Sequence, residues 1–214
     1  MKRYYLLAIP VVAAIIISYY LLMPTNKEPE DVKITPQMLI QNGSPLIGDP
    51  AAQITIVEWG DYQCTFCYKF HQSSKDILMQ EYVASGRVNF VFRDFPLNGP
   101  DSVLAAEASY CANDQSRYWQ YHDEIYKNWA GEKTGWITRQ SLEQFAKEIN
   151  LDLEQFNKCL DDKKYRNKVL ENEKFGTEIG IKATPSFLIF NNEKIFKIEG
   201  NQPFSVFRQV IDAI

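Results

Sequence analysis

Gln53-Ile-Thr-Ile-Val-Glu58-Trp-Gly-Asp-Tyr-Gln-Cys64-Thr-Phe-Cys67-Tyr-Lys-Phe70 is the stretch on which the fold turns. Its opening run, Gln53–Trp59, is rich in β-branched side chains, which suit a pleated surface, and it predicts a strand. Gly60-Asp-Tyr-Gln interrupts the run, and beyond Cys67 the residues Phe70, Ser74, Ile77, Leu78 and Tyr82 recur at helical spacing as far as Ser85-Gly86. Arg87–Phe95 alternates as a second strand. Strand, helix and strand in this order form a βαβ unit, with parallel strands and a right-handed crossover. Two cysteines separated by two residues at the strand-to-helix junction put the first thiol at the helix N-terminus. The unpaired N–H groups and the helix dipole there favour a thiolate, drawing a cysteine pKa from about 8.5 towards roughly 3.5–7.5. The second thiol lies one turn inward, within disulfide reach, so Cys64 and Cys67 read as a redox pair.

Half a zinc site is the other reading of such a pair, and zinc needs two further ligands, commonly a second CxxC or paired histidines. Cys111 and Cys159 lie far apart in the chain and His71 and His122 form no paired motif, so no metal is expected. His122 falls in an aromatic stripe with Trp119, Tyr126 and Trp129 and reads as a core histidine, and His71 as a polar residue of the helix after Cys67. From Asp101 to Glu178 the pattern is helical throughout, and Gly180 ends it. Ser186–Phe190 and Lys194–Glu199 read as an antiparallel pair about Asn191-Asn192, and Pro203–Ile214 as a closing amphipathic helix. Thr184-Pro185 precedes the first of these strands. A cis X-Pro turn at that point would set the Thr184 backbone beside the CxxC, as an edge with which an extended peptide can pair.

The front of the chain is an address. Tyr4–Met23 carries no charge and follows Lys2-Arg3; twenty helical residues at about 1.5 Å each span a hydrocarbon core of roughly 30 Å. Its exit, Tyr19-Tyr-Leu-Leu-Met-Pro24, has no small-x-small cleavage site. The expectation is an uncleaved signal-anchor over residues 1–26, a linker and entry segment (a tether plus an entry strand or turn) over 27–50, and a domain over 51–214 on the periplasmic or cell-surface side, with a removed signal peptide as the alternative. Both place the domain where disulfides persist. The whole chain has 214 residues, 23 basic against 27 acidic, and 45% hydrophobic. That apolar fraction excludes bulk disorder and a multi-span membrane protein. Both N-terminal bases precede the apolar run, so the domain is more acidic still, the opposite of the basic footprint that nucleic acid requires.

Glu58–Phe70, Gly180-Ile-Lys-Ala-Thr184-Pro185-Ser-Phe and Glu199-Gly-Asn-Gln-Pro203 together resemble the DsbA-like branch of the thioredoxin superfamily, over roughly Ala51–Ile214, and Asp114–His122 is similar to that family's helical insert. The resemblance implies an α/β thioredoxin-like fold with an inserted all-helical subdomain at about 101–178, preceded by one transmembrane helix. It implies a membrane-anchored, extracytoplasmic thiol-disulfide oxidoreductase, a dithiol oxidase that introduces disulfides into cysteine-containing exported polypeptides through Cys64 and Cys67. Thr184, Pro185, Thr65 and Phe66 would meet the peptide. A monomer without cofactors is expected, reoxidised by a membrane partner or a small oxidant. Thr65 stands where the family often has proline, which leaves the oxidising strength open. A reductase or isomerase with the same site is the nearest alternative, and a non-catalytic peptide-binding module in a membrane complex the next. Glu58 occupies the place where thioredoxin-like proteins often hold a buried acid. Facing the sheet interior, it would have a raised pKa and exchange a proton with Cys67; an exposed strand glutamate is the other reading. With the CxxC pairing internally, Cys111 and Cys159 are left for each other as a structural disulfide, two free thiols being the alternative.

Overall fold

The computed structural model describes residues 34–214. The expected anchor, residues 1–26, lies outside them, and among the described residues no helix is long and apolar enough to cross a membrane.

The sheet is built on β1 (Ile54–Gly60), which pairs in parallel with β2 (Val88–Asp94) and antiparallel with β3 (Ser186–Phe190). Antiparallel β4 (Ile195–Glu199) completes the order β2-β1-β3-β4. Every residue of β1, β2 and β3 is buried, as expected of strands covered on both faces. Alternation along β1 sorts the side chains. Ile54 and Ile56 pack with Phe70, Phe187 and Phe207, whereas Val57 and Trp59 pack on the opposite face with Val91, Phe95 and Leu188. Glu58 shares the first face, because side chains alternate along a strand.

Residues 34–50, part of the expected linker and entry segment, fold onto the sheet. Helix α1 (Pro36–Ile40) is capped by Thr35 and buries Leu39 against Val57, Trp59 and Val91. Ile47 then exchanges both backbone hydrogen bonds with Phe90, and Ser44 satisfies the Phe92 backbone with its amide and its hydroxyl. The segment thereby covers the outer edge of β2, which would otherwise present unpaired donors and acceptors. Its prolines hid it: one bridge and one serine leave no periodic signature in sequence.

Between β1 and β2 the chain opens a helix, α2 (Thr65–Phe70), which continues through a π-helical stretch at His71–Lys75, a turn of α-helix at Asp76–Leu78 and a second π-helical stretch at Met79–Val83. After β2 come five helices, α3 (Pro100–Asn113), α4 (Tyr118–Lys127), α5 (Arg139–Glu148), α6 (Leu153–Asp161) and α7 (Arg166–Glu178). Helix α3 is buried on nearly all sides, and a disulfide joins its Cys111 to Cys159 of α6. Helix α8 (Phe204–Ala213) closes the chain and packs Phe207 and Ile211 beneath the sheet.

Candidate active site

Cys64 is the N-cap of α2 and Cys67 lies in its first turn. The Cys64 sulfur accepts from the Cys67 amide at 3.5 Å, and its thiol donates to the Thr184 carbonyl at 3.3 Å. Residues far apart in the chain thus meet where the sequence places them, on either side of one sulfur; the Thr184-Pro185 bond is cis. Both thiols are buried, Cys67 completely. Their environments push them apart. Hydrogen bonds to the Cys64 sulfur from the Cys67 thiol, from the Thr184 side chain and from the Cys67 and Phe66 amides outweigh burial and lower the Cys64 pKa to about 7. Burial, with the neighbouring Cys64 and Glu58, holds Cys67 well above the ordinary thiol range. Such a pair carries its negative charge on the outer sulfur and keeps the inner one protonated. Phe66 is exposed beside this sulfur, with the Lys69 ammonium 5.2 Å from its ring.

Glu58 is fully buried, and neither carboxyl oxygen has a hydrogen-bond partner among the described residues. Burial raises its pKa to about 8, against the opposing pull of Lys75. A carboxyl whose folded-state value lies above its unfolded one binds a proton preferentially in the folded state, so stability falls as pH rises from about 4.5 to about 8. Glu58→Gln, which cannot ionise, removes that decline. The variant should match the parent near pH 4 and exceed it near pH 8 by a few kcal/mol, since each tenfold difference in proton affinity between the folded and unfolded chain is worth about 1.4 kcal/mol. Urea titrations across this range check it, and parallel profiles for the two proteins would contradict it.

Several residues that hold the CxxC escape a reading of the motif. The Asp61 carboxylate accepts from the Gln63 amide, the Ser102 hydroxyl and the Asn98 amide at 2.7–2.8 Å. Its backbone carbonyl accepts from the Cys64 amide at 3.0 Å and the Tyr126 hydroxyl at 3.2 Å. The loop between α4 and α5 straps the same turn. Trp129 donates to the Gln63 carbonyl at 3.0 Å and stacks on Tyr68, the Lys133 amide donates to the Gln63 side chain at 3.0 Å, and the Glu132 carboxylate accepts from the Thr65 amide at 2.7 Å. Gly60-Asp61 after a strand is a turn signal that sequence offers; nothing local announces Glu132. His71 and His122, unpaired in sequence, come together: their ring centroids are 4.8 Å apart, and burial, with the Lys75 ammonium nearby, depresses both well below the ordinary histidine range.

A family model described as Thioredoxin matches residues 41–213. The chain is a DsbA-like member of the thioredoxin family. As such it is a protein-disulfide oxidoreductase. It is 30% identical to the "probable disulfide bond formation protein D" of Bacillus anthracis over 160 residues, 73% of this chain and 74% of that one. The oxidised crystal structure of BdbD from Bacillus subtilis superposes with a TM-score of 0.72 at 25% identity, covering 81% of this chain and 93% of that one. The α-DsbA1 of Wolbachia pipientis superposes with a TM-score of 0.71 at 28% identity, covering 81% and 90%. Within the DsbA-like fold Cys64 and Cys67 occupy the β1–α2 junction, and the α4–α5 loop of the segment between β2 and β3 supplies the strap above them.

Proposed function

We propose that the chain is a dithiol oxidase that transfers its Cys64–Cys67 disulfide to exported polypeptides, held to a membrane by residues 1–26 with its domain outside the cytoplasm. The observation that carries the chemistry is the asymmetry of the pair: an outer sulfur stabilised at about 7 and an inner one held protonated by burial. A substrate thiolate attacks Cys64 of the closed disulfide, the S–S electron pair leaves on Cys67, which takes a proton, and a mixed disulfide forms. A second substrate thiolate attacks the substrate sulfur of that bond, and Cys64 departs as a thiolate. Glu58 serves as the proton exchanger for Cys67. The backbone at Thr184, already within hydrogen-bond reach of Cys64, is the edge beside which the substrate segment lies, with Pro185 shaping it and Thr65 and Phe66 forming the facing lip. The Bacillus relatives are named for disulfide bond formation, which supports the direction of transfer. A membrane-bound or small-molecule oxidant then recloses the pair. The N-terminal run of twenty uncharged residues behind two bases supports the anchor.

One observation favours reductase action at the same site: a Cys64 pKa of about 7 matches thioredoxin, whereas a strong oxidant such as DsbA lies near 3.5. Equilibration of the Cys64–Cys67 pair with glutathione separates the two directions. The oxidase reading requires a potential more positive than about −200 mV, and a value near −270 mV, the thioredoxin range, would overturn it.

A further inference from the structure

His71, on the π-helical stretch that prolongs α2, stacks on Tyr126 of α4 with centroids 3.7 Å apart. His122, also on α4, is fully buried and stacked by Trp119. The Nε2 of His71 and both ring nitrogens of His122 have no hydrogen-bond partner among the described residues. Buried imidazole nitrogens left unpaired cost about 1–3 kcal/mol each and call for an occupant. Beside them the Asp123 carboxylate, largely in solvent, is paired with the Lys75 ammonium. One ligand atom from each of His71, His122 and Asp123 lies within 4.8 Å of the others. His71, Lys75 and Asp123 also line a polar, solvent-open cavity of about 300 Å³.

We propose that His71, His122 and Asp123 form a binding site for a divalent transition ion of the zinc type, bridging the active-site helix and α4. Two imidazoles and one carboxylate are the borderline donor set that zinc accepts, whereas calcium and magnesium require oxygen throughout. The cavity supplies the entry path and room for a water as fourth ligand. A tetrahedral zinc site sets its ligand atoms roughly 3.4 Å apart, and here they lie within 4.8 Å of one another, so binding draws the groups closer. Asp123, with a side chain 58% exposed, is the ligand freest to move. Lys75 is the competitor: its ammonium now neutralises Asp123, and the ion must exchange with it. From sequence no metal is expected, because His71 and His122 form no paired motif; the fold brings their rings together. Bound there, the ion would stiffen the joint between the redox helix and the helical insert without touching either thiol.

The experiment uses the full chain with Cys64 and Cys67 closed as a disulfide, so that no thiol of the pair can bind metal. Co²⁺ should produce visible ligand-field bands without a thiolate charge-transfer band, and Zn²⁺ should displace it and raise the thermal midpoint by several degrees. Asp123→Asn, a change in a solvent-facing side chain, and His71→Gln should each weaken Zn²⁺ binding by about tenfold or more. Lys75→Met, which frees the carboxylate, should strengthen it. Absence of both the Co²⁺ bands and the Zn²⁺-dependent midpoint shift at millimolar metal would overturn the site, and so would binding of undiminished affinity in both ligand variants.

Discussion

Replacing Cys64 with Ser should abolish peptide oxidation, a loss of roughly a thousandfold or more, because it removes the group proposed to form the covalent intermediate. Cys67→Ala produces a different failure. Cys64 keeps its place at the helix N-terminus and its contact with the Thr184 carbonyl, so with no disulfide of its own to transfer it can only attack a disulfide supplied to it, such as oxidised glutathione, releasing one thiolate and keeping the other half as a mixed disulfide that no inner thiol can displace. That species should accumulate and be visible by intact mass and on non-reducing gels. The two thiols should also separate in a simpler measurement. In the reduced protein at neutral pH, iodoacetamide labels the thiolate fraction of Cys64, which has a pKa of about 7, and leaves Cys67 protected by its burial and raised pKa. Cys64→Ser should therefore lose fast labelling, whereas Cys67→Ala should still be labelled at Cys64 but more slowly, because the hydrogen bond that does most to lower its pKa is gone. A Cys64→Ser protein with full oxidase activity would place the chemistry elsewhere, and fast labelling of Cys67 would reverse the assignment of outer and inner thiol.

Much of this site is legible because its parts are local. A β-branched run, a turn and two cysteines specify the β1–α2 junction within about twenty residues, and the alternation that turns Val57 and Trp59 to one face turns Glu58 to the other. Strands expected at 53–59 and 87–95 form at Ile54–Gly60 and Val88–Asp94. What is not legible is brought in from a distance. The amide beside Cys64 is capped by Glu132, 67 residues away, and the turn before it is braced by Ser102, Asn98 and Trp129. Each is an ordinary polar or aromatic residue in an ordinary segment, and only the folding of the insert over the sheet gives it a partner. The same holds for residues 34–50, whose single bridge to Phe90 has no periodic trace, and for His71 and His122, which read as unrelated until α2 and α4 pack together.

The insert carries the second large effect. Cys111 and Cys159 bond α3 to α6 across a sequence separation of 48 residues, and both are buried. Closing a loop of that length removes about 4 kcal/mol of unfolded-chain entropy by the usual loop-length relation. At about 2–4 °C per kcal/mol for a domain of this size, a Cys111→Ala/Cys159→Ala variant should melt roughly 10 °C lower than the parent. The Asp61–Ser102 contact lies at the opposite end of α3 from Cys111, so the double variant should keep its oxidase activity at temperatures where it is folded. Stepwise reduction should open the Cys64–Cys67 bond first, because the helix N-terminus stabilises the thiolate that it releases, whereas Cys111–Cys159 offers no such site and lies inside the packed helices. A thermal midpoint within about 2 °C of the parent would mean that the bridge adds no stability. Activity that rose or fell with the redox state of Cys111–Cys159 while the midpoint stayed fixed would make it a switch, because a bond that acts only on the unfolded chain can change how long the fold survives but not how the folded site reacts.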